Sequence, residues 1–228
     1  MTMTVQQYVS NTREMMDAAS SARWTDAFIT QVLGYIHSRE WGSLLNANPY
    51  TRFAQRTVST DSLGQFTLDS LNSGSGDTKQ YWYRLLALTD GTAVYRETQF
   101  ITVPLATTAN YGQPYQRMYY LAGDNYQVLP VTASLSLTAT VNWMPPRIDQ
   151  LASQLSVVDF PAGHESILWN LAGADLLTKG GAEVQAADAL RGLASAQRDD
   201  MYQDLGRRSA RPLFMGYGDT GADWGGSY

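Results

Sequence analysis

His37 and His164 are the residues to question first, because imidazole is the side chain best suited to moving protons near neutral pH. They lie far apart in a chain without cysteine, so spacing offers neither a zinc site nor a nucleophile–base pair. A surface or packing role is the expectation for both. The GSG at 74–76 lacks the Lys-Ser/Thr and the strand-loop-helix setting that cradle phosphate. Asp199 and Asp200 adjoin on a helical segment and point in different directions, which makes them a solvated face. Asp219 and Asp223, among glycines, miss the alternating ligand spacing of a calcium loop. Tyr81, Trp82, Tyr83, Tyr95, Tyr119 and Tyr120 could stack on sugars, but strand period sends half of them inward, so core or interface burial is expected. The expectation is therefore no catalytic residue, no cofactor site and no metal site, in a protein that is not an enzyme.

Composition sets the scale. A chain of 228 residues with 44% hydrophobic and 16% charged content can bury a sizeable core. The absence of cysteine excludes disulfides and fits a reducing compartment, or a particle indifferent to redox state. No leader-like segment opens the sequence and no apolar run approaches a membrane span, so a soluble protein without a cleaved signal is expected. The net charge of −5 disfavours a general nucleic-acid clamp. Of the 16 basic residues only Lys79 and Lys179 are lysine. Arginine suits carboxylate-gripping interfaces, though lineage bias is the plainer explanation.

Helical signal lies at both ends. Thr4 can cap a first helix with Val5, Tyr8 and Val9 on one side. Thr25 caps a better one, with Asp26 opposing the dipole and an apolar stripe of Trp24, Phe28, Ile29, Val32, Leu33 and Ile36. Gly34 and Gly42 interrupt its pattern. Pro161 suits the first turn of a helix over 161–178 whose apolar face holds Ile167, Leu168 and Leu171. Gly180-Gly181 turns it into an alanine-rich helix over 182–205, with Val184, Ala187, Leu190, Ala194, Met201 and Leu205 on one side.

Between the ends, four to six strands are expected. Residues 72–79 read as a flexible loop, and 74–78 as dispensable for folding. The run 81–89 turns at Asp90-Gly91, a hairpin signal, and returns over 92–103. Segments 117–123, 126–131 and 133–143 follow, the last alternating Leu135, Leu137, Ala139, Val141 and Trp143 with Ser and Thr. The fold class expected is α+β: a helical bundle from the N- and C-terminal helices, an inserted antiparallel β-sheet or small sandwich, and an extended C-terminal arm. Residues 1–49 and 150–208 form the bundle domain, 50–149 the inserted β domain and 209–228 the arm. Trp24, Phe28, Val32, Ile36, Leu168 and Leu171 make the bundle core, with Trp24 and Phe28 against Leu168 or Leu171.

The order resembles the head-to-tail adaptor proteins of tailed double-stranded DNA phages. The residues that carry the likeness are the Trp24-Thr25-Asp26 helix start with its stripe, and the strand ends YQVLPV (126–131) and LTATVNWMPP (137–146). The Leu/Asp linker 151–159, the Pro-led helix and the alanine-rich helix ending in Arg207-Arg208 complete it. The likeness covers residues 24–208. It implies a structural protein of the virion neck, assembled in the host cytoplasm, in such families usually a twelvefold homo-oligomeric ring. Its partners would be the portal protein and tail or neck proteins. Double-stranded DNA would pass without sequence-specific binding, and no membrane is involved. Arg207, Arg208, Arg211, Phe214, Tyr217, Trp224 and Tyr228 are the expected portal- or neighbour-binding arm, ordered on assembly. The alternative is a β-sheet carbohydrate-binding or particle-decoration module.

Overall fold

The computed structural model describes residues 3–16, 22–49, 51–98, 117–131, 133–181 and 184–209. Four helices run over Val5–Glu14 (α1), Asp26–Ala47 (α2), Ser166–Lys179 (α3) and Val184–Ser209 (α4). Seven strands run over Phe53–Ser59 (β1), Gln65–Thr67 (β2), Tyr81–Thr89 (β3), Val94–Glu97 (β4), Met118–Ala122 (β5), Asn125–Leu129 (β6) and Ser136–Met144 (β7).

Each helix begins where its chemistry permits. At α1 the Thr4 hydroxyl accepts from Gln7 N while the Gln7 side chain accepts from Thr4 N, a reciprocal cap. With ten residues α1 is too short to persist alone. It is held by Val5, Tyr8, Val9 and Thr12, one buried stripe, with Tyr8 edge-on to Trp169. Thr25 caps α2 by accepting from Phe28 N. Helix α2 runs unbroken through Gly34 and Gly42. A Cβ at Gly34 would land inside the Asp149 carboxylate, and one at Gly42 would meet the Tyr83 ring. Those glycines are therefore contact points for neighbouring segments. Helix α3 is buried on nearly every side, the mark of a central helix. A Cβ at Gly173 would press on Leu190 of α4 and on Met15 beyond α1, so three helical segments converge there. The segment from Pro161 stays irregular until Ser166, because Gly163 adopts φ +89 and His164 N closes a turn on the Pro161 carbonyl. On α4, Ala187, Leu190, Ala194 and Met201 are buried, whereas Val184 is exposed at the first turn.

The fold expectation is overturned. The described residues form a mixed α/β fold, four helices with one curled seven-stranded mixed sheet, a half-barrel. It is not a helical bundle carrying a small antiparallel insertion. Strand order is β1-β7-β3-β4-β5-β6-β2. All pairings are antiparallel except β4 with β5, where Arg96 faces Met118 and Glu97 faces Tyr119 in parallel. Parallel pairing requires a long crossover, and the connection from β4 to β5 has that length. Curvature comes with two register shifts along β3, between Trp82 and Arg84 and between Leu85 and Ala87. The Asp90 turn does make a hairpin, pairing Thr89 with Val94 and Leu88 with Tyr95. Its return strand ends at Glu97 within the described residues.

Two apolar clusters result. One is helical, around Leu33, Ile36, Trp41, Ile167 and Leu168. The other fills the sheet, around Leu71, Leu88, Tyr119, Val128 and Leu137. At roughly 1.5–3 kcal/mol for each large side chain buried, both contribute heavily. Tyr83 and Met144 extend from the sheet onto the helical cluster. Residues 3–6 also join the linker after the sheet: Val158 N donates to Met3 O, Val5 N to Ser156 O and Gln6 N to Gln154 O.

The loop expected to be free is pinned. Asp77 accepts from Ala152 N at 2.8 Å and from the Ser156 hydroxyl at 2.5 Å. Ser73 and Gln80 bond each other's backbone across its base. Gly74 takes φ +76 there, packed against the Thr78 carbonyl.

Candidate functional site

The polar chemistry of the described residues concentrates where the helices meet the sheet. Arg52 precedes β1, and its guanidinium lies 4.5 Å from the ring centres of both Trp41 of α2 and Trp143 of β7. Both guanidinium prongs grip the Asp159 carboxylate in the linker before α3. A planar cation between two indole faces, tied to a carboxylate by a fork, is an arrangement lysine cannot reproduce. Asn142 of β7 is fully buried and donates to the carbonyls of Pro49 and Arg52, fixing the same corner.

The Asp159 backbone carbonyl closes the seam from the other side. It accepts from Trp41 Nε1 at 3.0 Å and lies 2.9 Å from His37 Nε2. A carbonyl cannot donate, so His37 must carry its proton on Nε2. The Trp41–His37 approach at 3.2 Å is then two donors converging on one oxygen. Nδ1 of His37 is left buried with no partner among the described residues. Burial pushes the imidazole down to about 4, outweighing the bond to the Asp159 carbonyl and the nearby carboxylate, so the ring is neutral at physiological pH.

One turn further along α2, Glu40 is 1% exposed and receives Arg198 of α4 through Nε at 2.7 Å and Nη2 at 2.8 Å. Arg39 adds a third donor at 3.3 Å. Glu40 raises the Arg198 guanidinium above its ordinary value, mainly through this hydrogen bonding. Sequence reasoning passed over Glu40 and Arg198. A signal existed on α2: Glu40 lies four residues after Ile36 and four before Leu44, both buried, at stripe spacing.

These groups hold layers together. The imidazole is spent on a carbonyl, the Asp159 carboxylate on Arg52, and Glu40 on Arg198. Among the described residues no group of three or more His, Asp or Glu converges to hold a metal ion. None of their helices is long and apolar enough to cross a membrane. His164 lies 3.7 Å from Asp204 on α4.

At the hairpin tip, Asp90 accepts from Thr92 N, the Thr92 hydroxyl and Ala93 N, and Arg117 bonds its other oxygen. Those bonds, the Thr92 hydroxyl first, hold its carboxyl well below the usual range. Of the six strand aromatics, Tyr95, Tyr119 and Tyr120 are buried. Burial raises the Tyr119 phenol to about 12. Tyr81, Trp82 and Tyr83 are half-buried, Trp82 edge-on to Tyr126 and Tyr83 against the helices.

Of the expected core residues, Val32, Ile36, Leu168 and Leu171 are buried in the helical cluster. Trp24 and Phe28 are half-buried at its rim, stacked 5.0 Å apart. They lie by the end of α3, where Lys179 sits over the Phe28 ring and Arg23 bonds the Gly180 carbonyl. Both rings pack against the cluster that holds Leu168 and Leu171, and Phe28 also lies under Lys179, about 12 Å of helix rise beyond Leu171. Of the expected arm, Arg207 and Arg208 fall in the last turn of α4. Arg211, Phe214, Tyr217, Trp224 and Tyr228 lie outside the described residues. Comparison with protein-family models and with curated proteins finds no match.

Proposed function

We propose that this chain is a structural protein of a phage neck, a subunit of a ring that joins the portal vertex of a DNA-filled head to the tail and continues the DNA channel. The likeness in the order of parts supports this reading. The observation that carries it is the group of large apolar side chains left outside both clusters on different elements. Tyr35 of α2 is 60% exposed, Leu193 of α4 55%, and Leu155 and Val157 of the linker 71% and 53%. Neighbours in a ring meet through unlike faces of the same subunit, and such a subunit needs more than one apolar patch. The bonds at the α2–sheet seam suit a part that bears load, because arginine stacked between indoles resists sliding of one layer over the other. A net charge of −5 suits a channel wall that must not retain DNA. In this reading the Asp90 hairpin meets neighbouring virion proteins and the tail from Arg207 onward docks on the portal or an adjacent subunit.

Mass measurement of the purified protein at high concentration, with and without portal protein, tests the ring. A ring-sized complex, free or on the portal, supports the reading; a monomer under both conditions sinks it. Truncation after Ser209 tests the arm. The shortened chain should keep its helical signal and fail to attach to DNA-filled heads, and normal attachment would refute that part.

A further inference from the structure

Strand β1 pairs with β7 in unbroken register over all seven residues. Its other side pairs with no strand among the described residues. Thr60 N donates to the Leu135 carbonyl at 3.0 Å, which sets the phase of the ladder. Antiparallel backbone groups alternate in direction, so Phe53, Gln55, Thr57 and Ser59 turn their N–H and C=O groups away from β7. The side chains of these four residues are exposed too.

The opposite edge is treated differently. Strand β2 has three residues. The turn before it satisfies Gln65, whose carbonyl accepts from Asp61 N at 2.8 Å and whose N–H donates to Asp61 Oδ1 at 2.9 Å. Sheets ordinarily blunt both edges, because an unpaired row of donors and acceptors is a template for another strand. Here one edge is blunted, whereas the longer one is free of proline and of bulges and, among the described residues, has only its Gln55 carbonyl bonded, by Arg56.

Arg56 adds a charge to that edge. Its Nη1 donates to the Gln55 carbonyl at 3.3 Å and its Nη2 to Gln80 Oε1. Its Nε is buried with no acceptor among the described residues. Both of these partners are neutral, so among the described residues the guanidinium has no carboxylate, the partner it would pair with best.

We propose that the outer edge of β1 docks an extended strand of another protein, with a carboxylate opposite Arg56 and an apolar side chain beside Phe53, which is 46% exposed. Backbone pairing would supply affinity, and these two side chains the selectivity. A second copy is the competing occupant, and it is disfavoured in the register centred on Arg56. Two-fold pairing of β1 with itself about Arg56 sets guanidinium against guanidinium, and the β2 edge of a copy has its Gln65 groups already bonded. The proposal is independent of the ring reading.

Amide exchange on the full chain tests it, with a blocked seven-residue peptide alternating glutamate and valine as probe and its lysine–valine counterpart as control. The acidic peptide should slow exchange at Phe53, Gln55, Thr57 and Ser59 by about tenfold or more, and the basic peptide should not. Arg56→Glu should reverse that preference. Thr57→Pro, which removes an outward N–H, should abolish protection while leaving circular dichroism unchanged. Three results would each overturn the proposal: no protection, equal protection by both peptides, or protection without peptide that grows with protein concentration. The last would assign the edge to a second copy.

Discussion

Arg198 of α4 holds Glu40 of α2 through two donors at 2.7 and 2.8 Å, across 158 residues of sequence, on a carboxylate that is 1% exposed. Burying a carboxylate is tolerable only while its partner stays in place. Arg198→Ala should therefore cost about 3 kcal/mol in denaturant unfolding. The double change Glu40→Leu with Arg198→Met should cost less than Arg198→Ala alone. A double variant weaker than the single one would mean that the pair itself, and not the orphaned charge, holds α4 in place.

His37 makes stability depend on pH. The unfolded chain takes up its proton near pH 6.5, while the buried ring resists until about pH 4. The unfolded state thus binds more protons between those values, and stability falls as pH is lowered through that window. The His37 contribution is complete above pH 6.5, and up to about 3 kcal/mol is lost by pH 4. His37→Gln should flatten that part of the profile. Urea titrations of both proteins at half-unit pH steps measure the difference, and parallel profiles would rule out a neutral buried ring.

Two glycine substitutions should act in opposite directions. Gly34→Ala drives a methyl into the Asp149 carboxylate and should destabilise by about 1–3 kcal/mol in spite of better helix propensity. Gly192→Ala on α4 meets nothing within 4 Å and should stabilise by about 0.5–1 kcal/mol. Thermal melts of the two variants should bracket the parent.

Asp77 tests the pinned loop. Bonds from Ser156 and Ala152 lower its carboxyl below the usual range. Asp77→Ala should speed amide exchange at Ala152 and leave the helical amides of α3 unchanged. Deletion of 74–78 should free the same linker. Unaltered exchange at Ala152 in both variants would show that the linker is held by its other contacts.

Local chemistry was legible in the sequence, and closure in space was not. Thr4 and Thr25 announce α1 and α2 because a cap needs only its neighbours. Strand β3 begins and ends where its aromatic and aliphatic run does. The expectation of an inserted antiparallel sheet failed because pairing β4 with β5 in parallel depends on a crossover whose direction leaves no local mark. The polar seam was hidden for a similar reason. Trp41, Arg52, Trp143 and Asp159 are spread over more than a hundred residues, and each alone has an ordinary role. Asp77 was missed because a run of glycine and serine looks free until the carboxylate finds its two donors at Ala152 and Ser156. Glu40 and His37 do carry a local mark, polar residues set at buried positions of an apolar stripe, and at Glu40 it was passed over.

The zipper between residues 3–6 and 154–158 bears on synthesis. Helix α1 is too short to hold itself, and its backbone partners emerge from the ribosome only after the whole sheet has been made. Residues 3–6 must therefore wait, without their backbone partners, until the linker arrives. A nascent chain stalled before residue 154 would leave residues 3–6 accessible, and one stalled well beyond α3 would protect them.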